Sequence, residues 1–303
     1  MTDDVKDSGS ALIEVTAYAP EQGRWYCDHL ERGKILFFRG MPFELPDSAI
    51  KFLLGHGQSA STLHKNISYR PANDAVKGSD LKGAERDHLR AVMKAFSREV
   101  TAFITQFLPP YGGRMKLDYA SFRPEQEAGR KLSLHKRNDL LHVDAFPTRP
   151  TQGARILRVF LNIHPSMSRI WKVGPPFHEF FPRLAQRQKI NPPAGRPVIA
   201  AVSAFARHLG LPMAARSRYD DFMLYLHNWL KENTEFQKDP ANRKIEFPSG
   251  SCWMVYTDGI PHAVLSGQFA LEQTFIVPTN ALVSPEVAPV RVLEETTGQR
   301  MAS

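Results

Sequence analysis

Two residues that commonly bind metal ions, His142 and Asp144, stand two positions apart in the segment LLHVDAF. In a β-strand, residues i and i+2 point to the same face, so the imidazole and the carboxylate can reach one point in space. A third such residue, His262, opens a short strand-like segment after the turn at Gly250 and the run SCWMVYT. The three side chains together form a candidate metal site.

The chemistry of this candidate site follows from its ligand types. Two histidines and one carboxylate on a single triangular face hold Fe(II) in non-haem iron oxygenases and leave three coordination positions open. Two open positions can take a keto acid, and the third can take O₂. An HxD pair alone is weak evidence in a chain with 11 histidines, and the β-rich context strengthens it. The sequence therefore predicts Fe(II) bound by His142, Asp144 and His262, with a keto acid and O₂ as co-substrates.

The strand that follows the HxD pair carries two polar residues among apolar ones. Residues 155–163 alternate so that one face is aliphatic and the other holds Arg158 and Asn162. A guanidinium on that second face can enter the site and bind the distal carboxylate of 2-oxoglutarate at two points. We therefore predict cofactor contacts by Arg158 and Asn162, with Arg155 as a second candidate anchor. A surface position for Arg158 is the alternative.

The elements that must position these residues are short strands. From Lys116 onward, strand-like segments of five to ten residues alternate with Gly and Pro. Residues 83–108 carry apolar side chains at spacings of three and four and predict a long helix, and a second helical pattern interrupts the β-rich half at 218–236. We predict an α+β fold: a double-stranded β-helix (jelly-roll or cupin-like) core buttressed by N-terminal helices, with a helical insert between barrel strands.

The predicted organisation is a single oxygenase domain over residues 1–303. Its parts are a helix-rich N-terminal support (1–112), the jelly-roll core (113–285) with the insert at about 175–240, and a weakly structured tail (286–303). His227, on the amphipathic helix of the insert, is predicted to be a packing or surface residue.

The charge of the chain favours acidic partners. Lys and Arg number 39 against 31 Asp and Glu, a formal charge of +8. No run of five basic residues and no nucleic-acid motif is present, so a nucleic-acid partner is not expected. The acidic, polar N-terminus lacks a secretory signal, and the longest apolar runs are too short for a membrane span, which predicts a cytoplasmic protein.

Basic residues concentrate in the sequence around the HxD pair. They can contact an anionic substrate, or they can form a solvated loop or a lid over the site. The predicted substrate contacts are Arg130, Lys136, Arg137 and Arg149.

The sequence around these motifs resembles that of a known family. The segments ERGKILFFRGMPF, SYRP, LLHVDAFPTRPTQGARILRVFLNIHP and PHAVLSGQFALEQTFIVP resemble the Fe(II)/2-oxoglutarate-dependent oxygenases, and more closely the 3-deoxy-D-manno-oct-2-ulosonic acid (Kdo) 3-hydroxylases of Gram-negative bacteria. The likeness runs nearly end to end. Carried over by position, it makes His142, Asp144 and His262 the iron ligands.

The resemblance has one departure and several implications. Many superfamily members place an Arg or Lys shortly after the distal histidine, and GQFALEQTF has neither, so the anchor for the keto acid must come from elsewhere. The resemblance implies that 2-oxoglutarate is converted to succinate and CO₂ while C3 of a Kdo residue is hydroxylated to give Ko. It also implies Kdo-containing lipid A or a precursor as partner, and leaves peripheral contact with the inner membrane and the oligomeric state open.

Two other functions remain open at this stage. The chain could be a 2-oxoglutarate oxygenase that acts on a protein side chain or a methylated nucleic acid. It could also be a non-catalytic, cupin-like sugar-binding module in which the HxD pair binds no metal.

Overall fold

The architecture is a pair of facing β-sheets with helices on the outside. A computed structural model describes residues 11–17, 19–57, 66–188, 190 and 216–302. The strands of this described part are β1 (Leu12–Glu14), β2 (Ile35–Phe38), β3 (Ile67–Arg70), β4 (Ala75–Lys77), β5 (Lys116–Arg123), β6 (Arg155–Asn162), β7 (Arg169–Val173), β8 (Arg243–Phe247), β9 (Cys252–Tyr256), β10 (His262–Ser266) and β11 (Ala270–Val277).

The strand order is that of a jelly roll. The large sheet runs β1-β2-β9-β6-β11-β5-β3-β4, and the small sheet runs β10-β7-β8. All pairs are antiparallel except β1 with β2. An isolated bridge between His142 and His262 adds the HxD segment to the small sheet beside β10. Four strands, β5, β11, β6 and β9, therefore face a second layer of four segments, and the predicted jelly-roll core is confirmed.

The helices cover the outer faces of this core. In the described residues they are α1 (Gly23–Glu31), α2 (Asp47–Gly57), α3 (Gly83–Phe107), α4 (Phe177–Gln188), α5 (Arg218–Glu232), α6 (Thr234–Lys238) and α7 (Pro289–Thr297). The buried stripe of α3 packs in one cluster with β6 residues Leu157, Val159 and Leu161. Burying each such side chain contributes about 1.5–3 kcal/mol. The predicted aliphatic face of β6 and the predicted N-terminal helices are both in place.

An aromatic layer joins the two sheets next to the site. Trp253 of β9 stacks on Phe247 of β8 with ring centroids 3.9 Å apart, and Phe160 of β6 lies 5.2 Å from Trp253. Trp171 of β7 lies 5.6 Å from Trp253 and 5.2 Å from the His262 ring. This rigid layer holds one side of the distal histidine.

The first 112 residues supply strands β1–β4 to the large sheet as well as helices. One detail of the predicted organisation differs from the structure. The tail is not weakly structured, because α7 buries Val290, Val292 and Leu293 in a cluster with the insert helices. That apolar pattern is too short to show helical periodicity in the sequence. Of the predicted insert, residues 189 and 191–215 lie outside the described residues. Within the described residues, no helix has the length and apolar character needed to cross a bilayer.

Candidate metal centre

The backbone brings the HxD segment and the start of β10 together. His142 and His262 exchange two backbone hydrogen bonds, with the His142 amide 3.1 Å from the His262 carbonyl and the His262 amide 2.9 Å from the His142 carbonyl. The Asp144 amide donates to the Thr257 carbonyl at 2.9 Å, in the turn that precedes β10. Residues far apart in sequence are therefore held in fixed register by main-chain bonds.

The three predicted side chains converge. Nε2 of His142 and Nε2 of His262 each lie 4.0 Å from an oxygen of Asp144. One ligand atom from each residue can be chosen so that all lie within 4.8 Å of one another. Both histidines are buried, and their ring centroids are 4.7 Å apart. The triangular arrangement expected from the sequence is present.

Hydrogen bonds fix which nitrogen of each histidine is free. Nδ1 of His142 lies 2.7 Å from the Leu140 carbonyl, and Nδ1 of His262 lies 2.9 Å from the Ile260 carbonyl. Because a carbonyl oxygen only accepts, each Nδ1 carries the proton and each Nε2 presents its lone pair to the centre. Burial lowers the pKa of both imidazoles, and this keeps them neutral as metal binding requires.

The carboxylate of Asp144 is ionised and incompletely bonded. Burial alone would raise its pKa, but Arg158 and the two histidines outweigh burial and hold the pKa below its usual range. Oδ2 of Asp144 is buried and accepts no hydrogen bond, although Nε of Arg158 lies 3.3 Å away. A buried anionic oxygen without a donor is costly unless something binds it. Two free imidazole nitrogens and this oxygen fit Fe(II) in donor type and number.

The helical insert clamps the HxD segment from the other side. The Gln237 side chain accepts from the Leu141 amide at 2.9 Å and donates to the Leu141 carbonyl at 3.0 Å, as a neighbouring strand would. The His227 ring donates from Nδ1 to the Val143 carbonyl at 2.7 Å. In the described residues this segment joins the small sheet through an isolated bridge, and the insert supplies hydrogen bonds that a further strand would otherwise make.

The metal triad lies in a cavity of about 830 Å³ that is strongly cationic. Its only lining carboxylate among the described residues is Asp144. A larger cavity of about 910 Å³ lies elsewhere, beside α4, and contains none of the triad. The cationic residues that line the site cavity are Arg123, Arg130, Lys136, Arg158, Arg169 and Lys231.

Two cavity-lining arginines, on the strands that flank β11, share one buried glutamate of β11. Nε of Arg123 donates to Oε2 of Glu272 at 2.9 Å, and Nη1 of Arg158 lies 3.0 Å from Oε1 of the same residue. Burial would raise the pKa of Glu272, but these two arginines lower it. Arg158 therefore does point into the site cavity, as predicted, and its charge is already shared between Asp144 and Glu272.

Arg169 of β7 is buried without adequate partners. It is 1% exposed, and its Nε and Nη1 atoms have no hydrogen-bond acceptor. Its nearest carboxylate oxygen, on Glu127, lies 3.8 Å from Nη2. Burial, with a contribution from Arg123, lowers the pKa of Arg169 to about 10. Its guanidinium fork is free to bind an anion.

Two residues that were predicted to contact the cofactor do not line the site cavity. Arg155 does not line the site cavity; its Nε donates to Asp258 at 2.8 Å, and its guanidinium lies 4.2 Å from the Tyr256 ring centroid. Asn162 does not line it either, because its amide donates to the carbonyls of Met167 and Phe247 in the turns beyond β6.

The predicted substrate contacts divide in two. Arg130 and Lys136 line the site cavity. Arg137 pairs with Asp139 at 2.6 Å, and Arg149 pairs with Asp118; neither lines the cavity. The basic cluster seen in the sequence is therefore only partly directed at the site.

The sequence analysis missed several lining residues, among them Arg123, Arg169, His227 and Lys231. The sequence predicts His227 to be a packing or surface residue, and in the structure its ring centroid lies 4.9 Å from that of His142. One available signal was the alternation in RIWKV, which places Arg169 on the face of Trp171. The i, i+4 spacing of His227 and Lys231 was another, because it places both on one helix face.

Comparisons with known proteins agree with this geometry. The family model described as 3-deoxy-D-manno-oct-2-ulosonic acid (Kdo) hydroxylase matches residues 14–300. The chain is similar to the crystal structure of the Kdo hydroxylase KdoO, a non-heme Fe(II) alphaketoglutarate dependent dioxygenase, in complex with cobalt(II): 36% identity, TM-score 0.85, covering 97% of this chain and 98% of that chain. It is also similar to KdoO in complex with alphaketoglutarate and Fe(III): 36% identity, TM-score 0.84, covering 96% and 97%.

A search of curated proteins finds no match. The family match covers nearly the whole chain, and the resemblance stated from the sequence motifs is confirmed. This chain belongs to the Kdo hydroxylase family.

Proposed function

We propose that this protein is an Fe(II)- and 2-oxoglutarate-dependent dioxygenase that hydroxylates C3 of a Kdo residue and gives Ko, succinate and CO₂. The observation that carries the proposal is one cavity in which a His-Asp-His triad with free ligand atoms meets a buried arginine, Arg169, that has two donors without acceptors. The family membership indicates Kdo as the substrate sugar, and the triad indicates iron-dependent oxygenase chemistry.

His142, Asp144 and His262 are the proposed metal ligands. When bound, Fe(II) supplies the O₂ activation that couples decarboxylation of 2-oxoglutarate to hydroxylation of the sugar. The chain's own contribution is to orient the ligands. The carbonyls of Leu140 and Ile260 hold the two imidazoles in the binding tautomer, and Trp171 stacks on His262 at 5.2 Å.

Arg169 is the proposed anchor for the distal carboxylate of 2-oxoglutarate. The prediction from the sequence was Arg158, but Arg158 already contacts two carboxylates, whereas Arg169 has two donors without acceptors. A bidentate guanidinium–carboxylate pair would satisfy those donors. Arg158 then has a different task, which is to keep Asp144 ionised and to hold Glu272 in place.

The acceptor is proposed to be Kdo in lipid A or a lipid A precursor. The cationic site cavity suits a sugar acid, and Arg130 and Lys136 lie on its lining. We further propose a cytoplasmic location with peripheral contact to the inner membrane, which would bring the site to a lipid-linked sugar.

The direct test is hydroxylation of a Kdo-bearing lipid A acceptor with Fe(II), 2-oxoglutarate and O₂. Mass spectrometry should find one added oxygen per modified Kdo, with succinate formed in equal amount. A peptide and a methylated oligonucleotide should not stimulate succinate release. Succinate release stimulated by either of these, with no change in the lipid, would replace the sugar by that substrate. No turnover of any kind would favour a binding module.

Replacing His262 by alanine, with a control variant at another histidine, tests the assignment of the metal ligands. His262→Ala should lose turnover at least a thousandfold while its thermal unfolding stays cooperative, because two ligands cannot hold the metal in its working geometry. His88→Ala, at an exposed position on α3, is the control and should keep full activity. Full activity in His262→Ala would remove the ligand assignment.

A further inference from the structure

One polar face of the insert helix α5 is directed into the site cavity. Leu224, His227, Asn228 and Lys231 recur at spacings of three and four and line the cavity. The opposite face packs into an apolar cluster through Phe222, Met223, Leu226 and Leu230. Because that apolar face anchors the helix, the polar residues have fixed positions in the cavity.

Lys231 is the unusual member of this face. It is 4% exposed, and its ammonium donates to the carbonyl of His135 at 2.9 Å. Among the described residues, no carboxylate lies within ion-pair distance of it. Burial lowers its pKa to about 8, with Asp144 and Asp139 only partly offsetting the effect. A buried ammonium without a counter-ion destabilises a fold, so its presence calls for an anionic ligand.

Lys231 lies on a different wall of the site cavity from Arg169. Arg169 projects from β7 of the small sheet, whereas Lys231 projects from α5 one turn beyond His227, whose ring is 4.9 Å from that of His142. Arg169 serves 2-oxoglutarate, Arg123 and Arg158 are held by Glu272, and Arg130 pairs with Glu127. Among the described buried cations of the lining, Lys231 therefore remains for a second anion. The proposed acceptor brings one.

We propose that Lys231 binds the carboxylate of the acceptor sugar and selects a 2-ulosonic acid over a neutral sugar. The inference rests on the proposed function. In a 3-deoxy-2-ulosonic acid, the carboxylate carbon and the carbon to be hydroxylated are both bonded to C2. Holding the carboxylate therefore fixes the reacting carbon as well. Asn228, beside Lys231 on the cavity face, can bond a hydroxyl of the same ring.

The test crosses a change in the protein with a change in the acceptor. The unaltered protein, Lys231→Met and Lys231→Arg are each assayed with a Kdo-bearing lipid A acceptor and with the same acceptor whose Kdo carboxylates are methyl esters. The unaltered protein should prefer the free acid by tenfold or more in kcat/KM, about the value of one charge-assisted hydrogen bond. Lys231→Met should lose that preference, chiefly through the KM for the free acid, and Lys231→Arg should restore part of it.

Two further readouts separate substrate binding from a structural role. The KM for 2-oxoglutarate should be unchanged in Lys231→Met, because Lys231 is assigned to the sugar and not to the keto acid. The preference for the free acid should return in part in Lys231→Arg, which a purely structural role would not predict. Lys94→Met, an exposed lysine of α3 paired with Asp74, is the control and should match the unaltered protein throughout.

Each outcome decides the proposal. Loss of the acid-over-ester preference in Lys231→Met alone supports it. An equal fall in activity on both acceptors, with the preference intact, overturns it and assigns Lys231 to holding the loop at His135. A raised KM for 2-oxoglutarate in Lys231→Met also overturns it. If the unaltered protein oxidises neither acceptor, the proposed function and this inference fail together, which is a different result from either of the preceding two.

Discussion

Arg155 and Arg169 are both 1% exposed, and both belong to strands of the jelly roll, yet their surroundings are opposite. Arg155 donates to Asp258 at 2.8 Å and stacks over Tyr256, with Glu31 and Tyr111 completing a buried network nearby. Arg169 keeps two donors without acceptors, and its nearest carboxylate is 3.8 Å away. The chain itself supplies acceptors for the guanidinium of Arg155, and it leaves two donors of Arg169 without acceptors.

The difference distinguishes residues that hold the site in its shape from residues that are available to bind its ligands. The pair Arg155–Asp258 fixes the turn between β9 and β10, which ends at His262 and whose Thr257 carbonyl bonds to the Asp144 amide. Arg169 and Lys231 face the site cavity with unused binding capacity. A folded chain bears the cost of such groups when a ligand completes them, as part of the trade between stability and function.

Breaking the complete pair should produce the largest loss of stability. Arg155→Met leaves Asp258 buried without its cation, so the free energy of unfolding should fall by about 3–5 kcal/mol. The measurement is chemical denaturation of the metal-free protein. Arg155→Met combined with Asp258→Leu should recover part of the loss, because no charge is then left uncompensated. A loss below 1 kcal/mol in the single variant would contradict the structural role given to this pair.

Removing the guanidinium of Arg169, which has unsatisfied donors, should instead affect ligand binding. Arg169→Met should raise the KM for 2-oxoglutarate about a hundredfold, or roughly 2.7 kcal/mol of binding, and should leave the unfolding free energy unchanged or higher. Succinate formation across a range of 2-oxoglutarate concentrations measures the first quantity, and denaturation measures the second. Arg98→Met, a highly exposed position on α3, is the control. An unchanged KM in Arg169→Met would return the anchor to Arg158.

The smallest effect expected is a gain of stability at Lys231. Below pH 8 this lysine is charged in both the folded and the unfolded state, so its full burial cost is present. Lys231→Met should therefore be more stable than the unaltered protein by about 1–2 kcal/mol at pH 7, after allowance for solvent screening.

The sign of the pH dependence at Lys231 adds a check. Above pH 8 the folded protein loses the proton while the unfolded chain keeps it, so the unaltered protein gains stability and the gap to Lys231→Met should narrow toward pH 10. Thermal or chemical unfolding at pH 7 and pH 9.5 measures it. A less stable Lys231→Met at pH 7 would show that the bond to His135 outweighs the buried charge.

The features that could be predicted from the sequence are those that local residue patterns determine. The i, i+2 rule placed His142 and Asp144 together, and strand alternation placed Arg158 toward the site cavity. The same alternation puts Arg155 on the other face, with Leu157 and Val159, which the assignment of Arg155 to the cofactor overlooked. Asn162 lies outside the site cavity for a different reason, since its amide bonds to the carbonyls of Met167 and Phe247 in the turns beyond β6.

The rest depended on long-range partners that no local pattern shows. Arg169 is identified by what its neighbours do, because Glu272 is occupied by Arg123 and Arg158, which lie on separate strands. The clamp of Gln237 on Leu141 joins residues 96 positions apart. Nothing in the sequence around Lys231 distinguishes it from an exposed helix lysine, and only the tertiary structure shows that it is buried.

The most direct test of this account is the visible spectrum of the protein mixed anaerobically with Fe(II) and 2-oxoglutarate. If the triad binds iron and Arg169 anchors the keto acid, the unaltered protein should show the weak charge-transfer band of an iron–keto acid chelate. His262→Ala should show none at any concentration, and Arg169→Met should show it only at much higher 2-oxoglutarate. An undiminished band in His262→Ala would contradict the central claim that His142, Asp144 and His262 hold one metal ion.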